Sequence, residues 1–249
     1  MSTDPESLDP RGIASLLDSL LDPLPFPLSS GQIEALASYL DQFHKWNLAF
    51  SFSTARSIRH FVRDLVIPSL LFDLFLDPDL PILDLGSGPG IPGIPLSILR
   101  PTRPVSCLEA SDAPIHFLNA CRKMLALSSL SVVHGRAEDL AHDSVYRSGF
   151  HSVVAKAFAP ISILIEIASA FVEPGGSILL QASSTVSSSL SETTWTLARL
   201  GTTFDRVFSI HPDIPDHPPS HFALFFHYSV ASTAYPRTWK QMKKRPLWI

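Results

Sequence analysis

The chain has 249 residues, of which 45% are hydrophobic and 17% charged; it can bury the core of one large domain and is no disordered polyelectrolyte. A net charge of −4 excludes a protein that binds nucleic acid over its whole surface, while leaving room for a local basic patch. Its two cysteines, Cys107 and Cys121, form neither a disulfide framework nor a CxxC metal motif, so reduced core thiols and no metal site are expected.

Residues 1–30 are rich in Pro and Asp and read as an acidic lead-in with room for one short helix. They lack the basic start and apolar run of a secretory signal. From Gln32 to Asn47 the apolar positions Ile33, Leu36, Ala37, Leu40, Phe43 and Trp46 follow helical spacing, with Ser29 or Ser30 as cap. A second helical stretch is expected from Ser57 to Leu76, making residues 31–80 a helical cap. His60 and Asp64, one helical turn apart, either pair with each other or face a site.

From Pro81 onward the pattern alternates. Strands are expected at Ile82–Leu85, Val105–Leu108, Val132–His134, Ser152–Ala155, Ser177–Leu180, Arg206–Ile210 and Phe222–Tyr228, with helices clearest at 112–127, 160–172 and 189–200. Strand–helix alternation implies an α/β, doubly wound, Rossmann-like domain over residues 81–230. Its sheet would be seven-stranded and mostly parallel, with an antiparallel edge hairpin. The apolar helix at 160–172 is interrupted by Glu166 and falls short of the roughly 18 uncharged residues that span a membrane. A cytoplasmic monomer without membrane contact is therefore the expectation. A serine-rich loop covers 183–191, and residues 231–249 form a basic tail. The segment 217–249 contains no acid, and its five cations (Arg237, Lys240, Lys243, Lys244 and Arg245) leave −9 for the rest of the chain. Composition alone favours a solvated tail.

The strongest chemical signal is Ile82-Leu-Asp84-Leu-Gly86-Ser-Gly88-Pro-Gly90-Ile91-Pro-Gly93. Glycines after a strand allow a tight turn and close approach of the backbone to a ligand, and Pro95 is tolerated in the first turn of the following helix. Glu109, ending the second strand, can accept both hydroxyls of a ribose lying across the first. After the third strand, Gly135-Arg136-Ala137-Glu138-Asp139 would set a small residue and a carboxylate beside an adenine. Pro174-Gly175-Gly176 is expected to turn between helix and fifth strand. Together these favour a class I S-adenosylmethionine methyltransferase. The rival is a nicotinamide-dependent oxidoreductase, since Gly88-Pro-Gly90-Ile-Pro-Gly93 also satisfies G-x-G-x-x-G. That match starts late and would rest a pyrophosphate on a helix opening broken by Pro92 and Pro95.

The stretch Leu83–Ser97 resembles the signature of the RsmG (GidB) family of small-subunit ribosomal RNA methyltransferases. The likeness runs from about Glu34 to Leu247. Trp46-Asn47, His60 with Asp64, Gly135-Arg136-Ala137-Glu138, Ala155-Lys156-Ala157-Phe158-Ala159-Pro160 and the closing Tyr235-Pro236-Arg237 with Lys244 and Pro246 fall in register. What the resemblance implies is methylation of one guanine at N7 in 16S ribosomal RNA with S-adenosylmethionine as cofactor, by in-line attack and without a general base. Gly86, Ile91, Ala137, Glu138 and Lys156 would surround the cofactor. The glycines Gly88 and Gly90, and Glu109 as ribose acceptor, are added from the residue reading. Lys156 and Arg136 would lie at the mouth as catalytic candidates, holding the cofactor carboxylate or an RNA phosphate.

The chain also departs from the family pattern. Lys156 stands where Arg is usual, Ala113-Pro114 where a Lys-Arg pair is usual, Ser220 where Arg is usual, and Gln181-Ala182-Ser183 where a Lys is usual. Lys240-Gln241-Met242 replaces Gly-Thr-Pro. RNA affinity shifted from the body to the tail is one reading of this exchange. A diverged copy that binds ribosomal RNA without turnover is another.

Overall fold

A computed structural model describes all residues except 1–9, 56, 157–158, 184–193, 215–216 and 248–249. Two helices open the described chain, α1 (Pro10–Leu21) and α2 (Ser30–Phe50). The short helix expected within residues 1–30 is thus a twelve-residue element, with Ile13, Leu17 and Leu21 buried. Ser29 caps α2 through a reciprocal pair with Gln32: the Ser29 hydroxyl accepts the Gln32 N–H while the Gln32 side chain accepts the Ser29 N–H. The Ser57–Leu76 stretch is broken into α3 (Ile58–Phe61), a π-helical turn (Val62–Val66), α4 (Ile67–Leu71) and a 3₁₀ turn (Phe72–Phe75).

Seven strands follow: β1 (Ile82–Leu85), β2 (Val105–Glu109), β3 (Leu130–His134), β4 (Phe150–Lys156), β5 (Val172–Gln181), β6 (Thr202–Ile210) and β7 (Ser220–His227). Helices α5 (Gly93–Leu99), α6 (Asp112–Met124), α7 (Ala137–Leu140), α8 (Ile161–Phe171) and α9 (Thr194–Arg199) lie between them, and α10 (Trp239–Lys244) closes the chain. The sheet order is β3-β2-β1-β4-β5-β7-β6, with β7 antiparallel to both β5 and β6. This is the expected mostly parallel sheet with an antiparallel edge. Part of the serine-rich loop and the start of the helix expected at 189–200 lie outside the described residues.

Alternation along β1 divides the interior. Ile82 points into one core with α1, α2, α5 and α6, whereas Leu83 and Leu85 point into a second with α7, α8, α9 and α10. The 58–75 segment completes the first helical layer over the antiparallel edge, where Phe72 meets Phe222 edge-on at 4.9 Å and Phe75 meets Phe208 at 4.4 Å. Ion pairs tie this segment down: the buried Asp73 lies 2.8 Å from both Arg103 and Arg100, and its Oδ2 accepts the Arg100 Nε–H at 2.9 Å.

Three expectations are corrected. Pro174-Gly175-Gly176 does not separate α8 from β5: Val172 already pairs with Phe150, and Gly175 (φ 96°) is an irregularity inside the strand. His60 and Asp64 do not pair. A π-helical turn breaks the α-helical spacing that would have aligned them, and Asp64 binds Arg63 at 2.8 Å instead. The closing segment is packed rather than solvated, with Tyr235, Pro236 and Met242 buried and Arg237 clasped by the buried Glu166.

Candidate active site

The glycine turn begins where β1 ends. Asp84 pairs with Cys107 on β2 and Val154 on β4, so Gly86 lies level with Glu109 on one side and Lys156 on the other. Glu109 in turn pairs with His134, and Lys156 with Gln181. The C-terminal edge of the sheet thus carries the row His134, Glu109, Gly86, Lys156, Gln181. The strand order reverses between the parallel strands β1 and β4, the place where open α/β sheets form a ligand crevice.

Gly86, Gly88 and Gly90 have φ of 71°, 50° and 89°, a region L side chains rarely adopt. Above Gly88 a Cβ would meet nothing within 4 Å, which leaves open space over the turn. Beneath it Glu109 acts as a clamp. Its Oε2 accepts the Gly88 N–H at 2.9 Å and its Oε1 accepts the N–H groups of Ala110 and Ser111, each at 2.8 Å. A carboxylate offers about four lone-pair positions. Glu109 therefore has room on Oε2 for one further donor, and a grip on two hydroxyls requires release of a backbone N–H.

Asp84 is fully buried below the turn. Its Oδ2 accepts the Gly93 N–H at 2.8 Å, satisfying the start of α5, while its Oδ1 has no partner. Burial pushes its pKa up to about 7 against the pull of the Gly93 and Ser87 hydrogen bonds. From α2, the buried Tyr39 hydroxyl donates to the Pro89 carbonyl at 3.0 Å and fixes the outer side of the turn. Tyr39 escaped the sequence reading, because inside an apolar helical stripe its hydroxyl carries no signal until a partner is seen. Ile91 is buried in the first core.

The remaining candidates divide between two sides. On the β3 side, Arg136 binds Glu138 through Nε and a terminal nitrogen, both at 2.8 Å from Oε1, and its guanidinium lies 5.6 Å from the centre of the Trp239 ring. Ala137 between them is buried in the second core. On the β4 side, the Lys156 ammonium donates to the Asp64 carbonyl at 2.6 Å. Burial lowers its pKa to about 8, with Asp64 opposing the shift. The neighbouring carbonyl of the same π-helical turn, Arg63, accepts from His217 Nε2 at 2.9 Å. Expected to share the mouth, Arg136 follows β3 and Lys156 ends β4, on opposite sides of β1 in the sheet order, and the two are committed to different partners.

A family model described as rRNA small subunit methyltransferase G, GidB, matches residues 32–208. The chain belongs to this family. The ribosomal RNA small subunit methyltransferase G of Lactococcus lactis subsp. cremoris (strain MG1363) is 30% identical over 234 residues, covering 92% of this chain and 97% of the relative. That of Desulfitobacterium hafniense (strain Y51) is 31% identical over 229 residues, covering 88% and 91%. Among solved structures, cofactor-bound Rv0187 from MTB aligns with a TM-score of 0.55 at 18% identity, over 88% of this chain and 98% of that one. The glycopeptide N-methyltransferase MtfA, solved with S-adenosyl-L-methionine, aligns at 0.52 and 14% identity over 66% and 87%. The fold is that of the class I S-adenosylmethionine-dependent methyltransferases.

Proposed function

We propose that this chain methylates N7 of one guanine in small-subunit ribosomal RNA, by direct in-line attack. Family membership supports methylation of small-subunit ribosomal RNA with S-adenosylmethionine as cofactor. The cofactor supplies an electrophilic methyl group on a sulfonium. The observation that carries the finer reading is the state of the acids and bases along the sheet edge. Glu109 is clamped by three N–H groups, Glu138 by Arg136 and Lys156 by a carbonyl, while Asp84 is buried beneath the turn. Each of these groups is already engaged by the protein or buried beneath the turn, so none is laid out as a dedicated base for an acceptor. Guanine N7 needs none removed, because its lone pair already lies in the ring plane. Positioning and exclusion of water then suffice.

The residues fit the cofactor. The open space over Gly88 admits a ligand against the backbone, and the free position on Glu109 Oε2 can accept a ribose hydroxyl. Gly86, Gly90 and Ile91 complete the turn, and Ala137 with Glu138 would flank the base. In this reading Lys156 holds a carboxylate or an RNA phosphate on the β4 side, and Arg136 does so on the β3 side after parting from Glu138. The nicotinamide alternative has no comparable support.

The test uses methyl-labelled S-adenosylmethionine and small ribosomal subunits from cells lacking this protein, with chain scission at N7-methylguanine to locate the product. Label at a single guanine N7 is the expected result. Label at another atom would overturn the N7 assignment. Cofactor binding without transfer would leave an RNA-binding protein without turnover.

A further inference from the structure

The first helical layer carries a group of rings that the proposed reaction leaves unused. At the C-terminal end of α2, Trp46, Phe50 and Phe52 form a triangle with centroids 5.2, 5.8 and 6.4 Å apart and interplanar angles of 28°, 13° and 17°. The neighbouring contacts among Tyr39, Phe43, Phe61 and Phe117 are tilted or edge-on, at 49° to 79°. Both edge-on and offset-stacked pairs occur among packed rings; three near-parallel rings at the end of a helix make a ledge. The ledge also reaches solvent: Phe50 is 52% exposed and adjacent Leu48 76%. Phe52 forms one wall of a surface cleft of about 780 Å³, whose other walls include His44, Asn47, Ser53 and Thr54.

The ledge is joined to the candidate site on two sides. Trp46 and Phe52 pack on Phe117 of α6 at 5.5 and 5.6 Å, Phe117 packs on Tyr39 at 6.0 Å, and Tyr39 holds the Pro89 carbonyl of the glycine turn. In the chain direction, the segment after Phe52 leads to the π-helical turn whose Asp64 carbonyl binds Lys156. The charges beside the rings cancel, since Lys45 binds Asp41 at 2.6 Å. This face therefore offers ring planes and hydrogen-bonding groups rather than a cation for phosphate. Such a surface matches an unpaired nucleobase, which presents a π-face and polar edges.

We propose that Trp46, Phe50 and Phe52 form a stacking platform for an unpaired base of the RNA substrate next to the target guanine. The proposal rests on the reading of the chain as an RNA methyltransferase. Its test is direct binding of a fluorescein-labelled single-stranded oligoribonucleotide, followed by anisotropy over a series of KCl concentrations. Phe50→Ala should weaken binding by about tenfold at every concentration, within the range that one base–aromatic stack supplies, without changing the slope against salt. Phe50→Trp should restore it, and circular dichroism should match the wild type for both variants. Unchanged affinity, or a loss confined to low salt, would overturn the platform. So would a wild-type dimer that Phe50→Ala dissociates, which would assign the ledge to a second copy of the chain. If the variant loses RNA affinity but the wild type transfers no methyl group, the platform stands and the enzymatic reading fails. If the wild type methylates RNA and Phe50→Ala binds it normally, the platform alone fails. A wild type that binds no RNA overturns both.

Discussion

Lys156 ends a buried strand with its ammonium group against a backbone carbonyl, and burial draws its pKa from 10.5 to about 8. The sign of the consequence follows from which state holds the proton. Between pH 8 and 10.5 the unfolded chain keeps a proton that the folded chain has released, so this residue makes stability rise with pH across that window. For an anionic ligand the effect is opposite, because the charge that would hold it disappears as pH rises through about 8. We expect the affinity for S-adenosylmethionine or for RNA to fall over that range and Lys156→Arg to flatten the profile, since arginine stays protonated. Binding titrations from pH 6 to 10 would check this; a wild-type profile that is already flat would remove Lys156 from both roles. The sequence identifies the position of Lys156 but not its tether, because the Asp64 carbonyl is supplied by backbone 92 residues away. The same holds for Glu109, whose place at the end of β2 is legible while its three N–H partners are not.

Strand positions were readable because β-branched apolar runs mark buried parallel strands. Their starts were not: β3 to β7 each begin two to five residues earlier than the apolar run suggests, in stretches such as Val172–Gly176 where Glu, Pro and Gly hide the pairing. The closing segment shows the limit of composition more clearly. Its cations suggest a solvated tail, yet Arg237 donates to both carboxylate oxygens of the buried Glu166, at 2.8 and 2.6 Å, and its own N–H adds a third bond. Arg147 holds the same segment through the carbonyls of Ala231, Ser232 and Tyr235. Arg237→Ala leaves a buried carboxylate unpaired and should destabilise the protein by about 3 kcal/mol in urea denaturation, whereas Glu166→Gln together with Arg237→Met should recover much of the loss. A loss below about 0.5 kcal/mol would mean that the pair is as weak as an exposed one. Deleting residues 235–249 would also take Met242 out of the second core, so weakened RNA binding by such a truncation would not separate charge from folding.

Across the whole molecule, charge is polarised, and the structure narrows the positive end to Lys240, Lys243, Lys244 and Arg245, all exposed on or beside α10. Replacing these four with Gln keeps the packed face of α10. If they bind phosphates, the slope of log affinity against log salt should fall by about 0.7 for each phosphate of single-stranded RNA that is no longer neutralised. An unchanged slope would return RNA binding to the body of the protein. The architecture was legible at this scale because it follows from the order of strands and helices, a one-dimensional property. Contacts between distant segments were not, and the π-helical turn is the clearest case. Its consecutive carbonyls at Arg63 and Asp64 hold His217, from the segment between β6 and β7, and Lys156, from the end of β4. The N-terminal helices therefore cannot be exchanged as a cassette. A chimaera that takes residues 10–80 from a relative would keep both clasps only if the incoming segment reproduces the π-helical course at 63–64, because the acceptors there are backbone carbonyls, while positions 156 and 217 must still carry a donor.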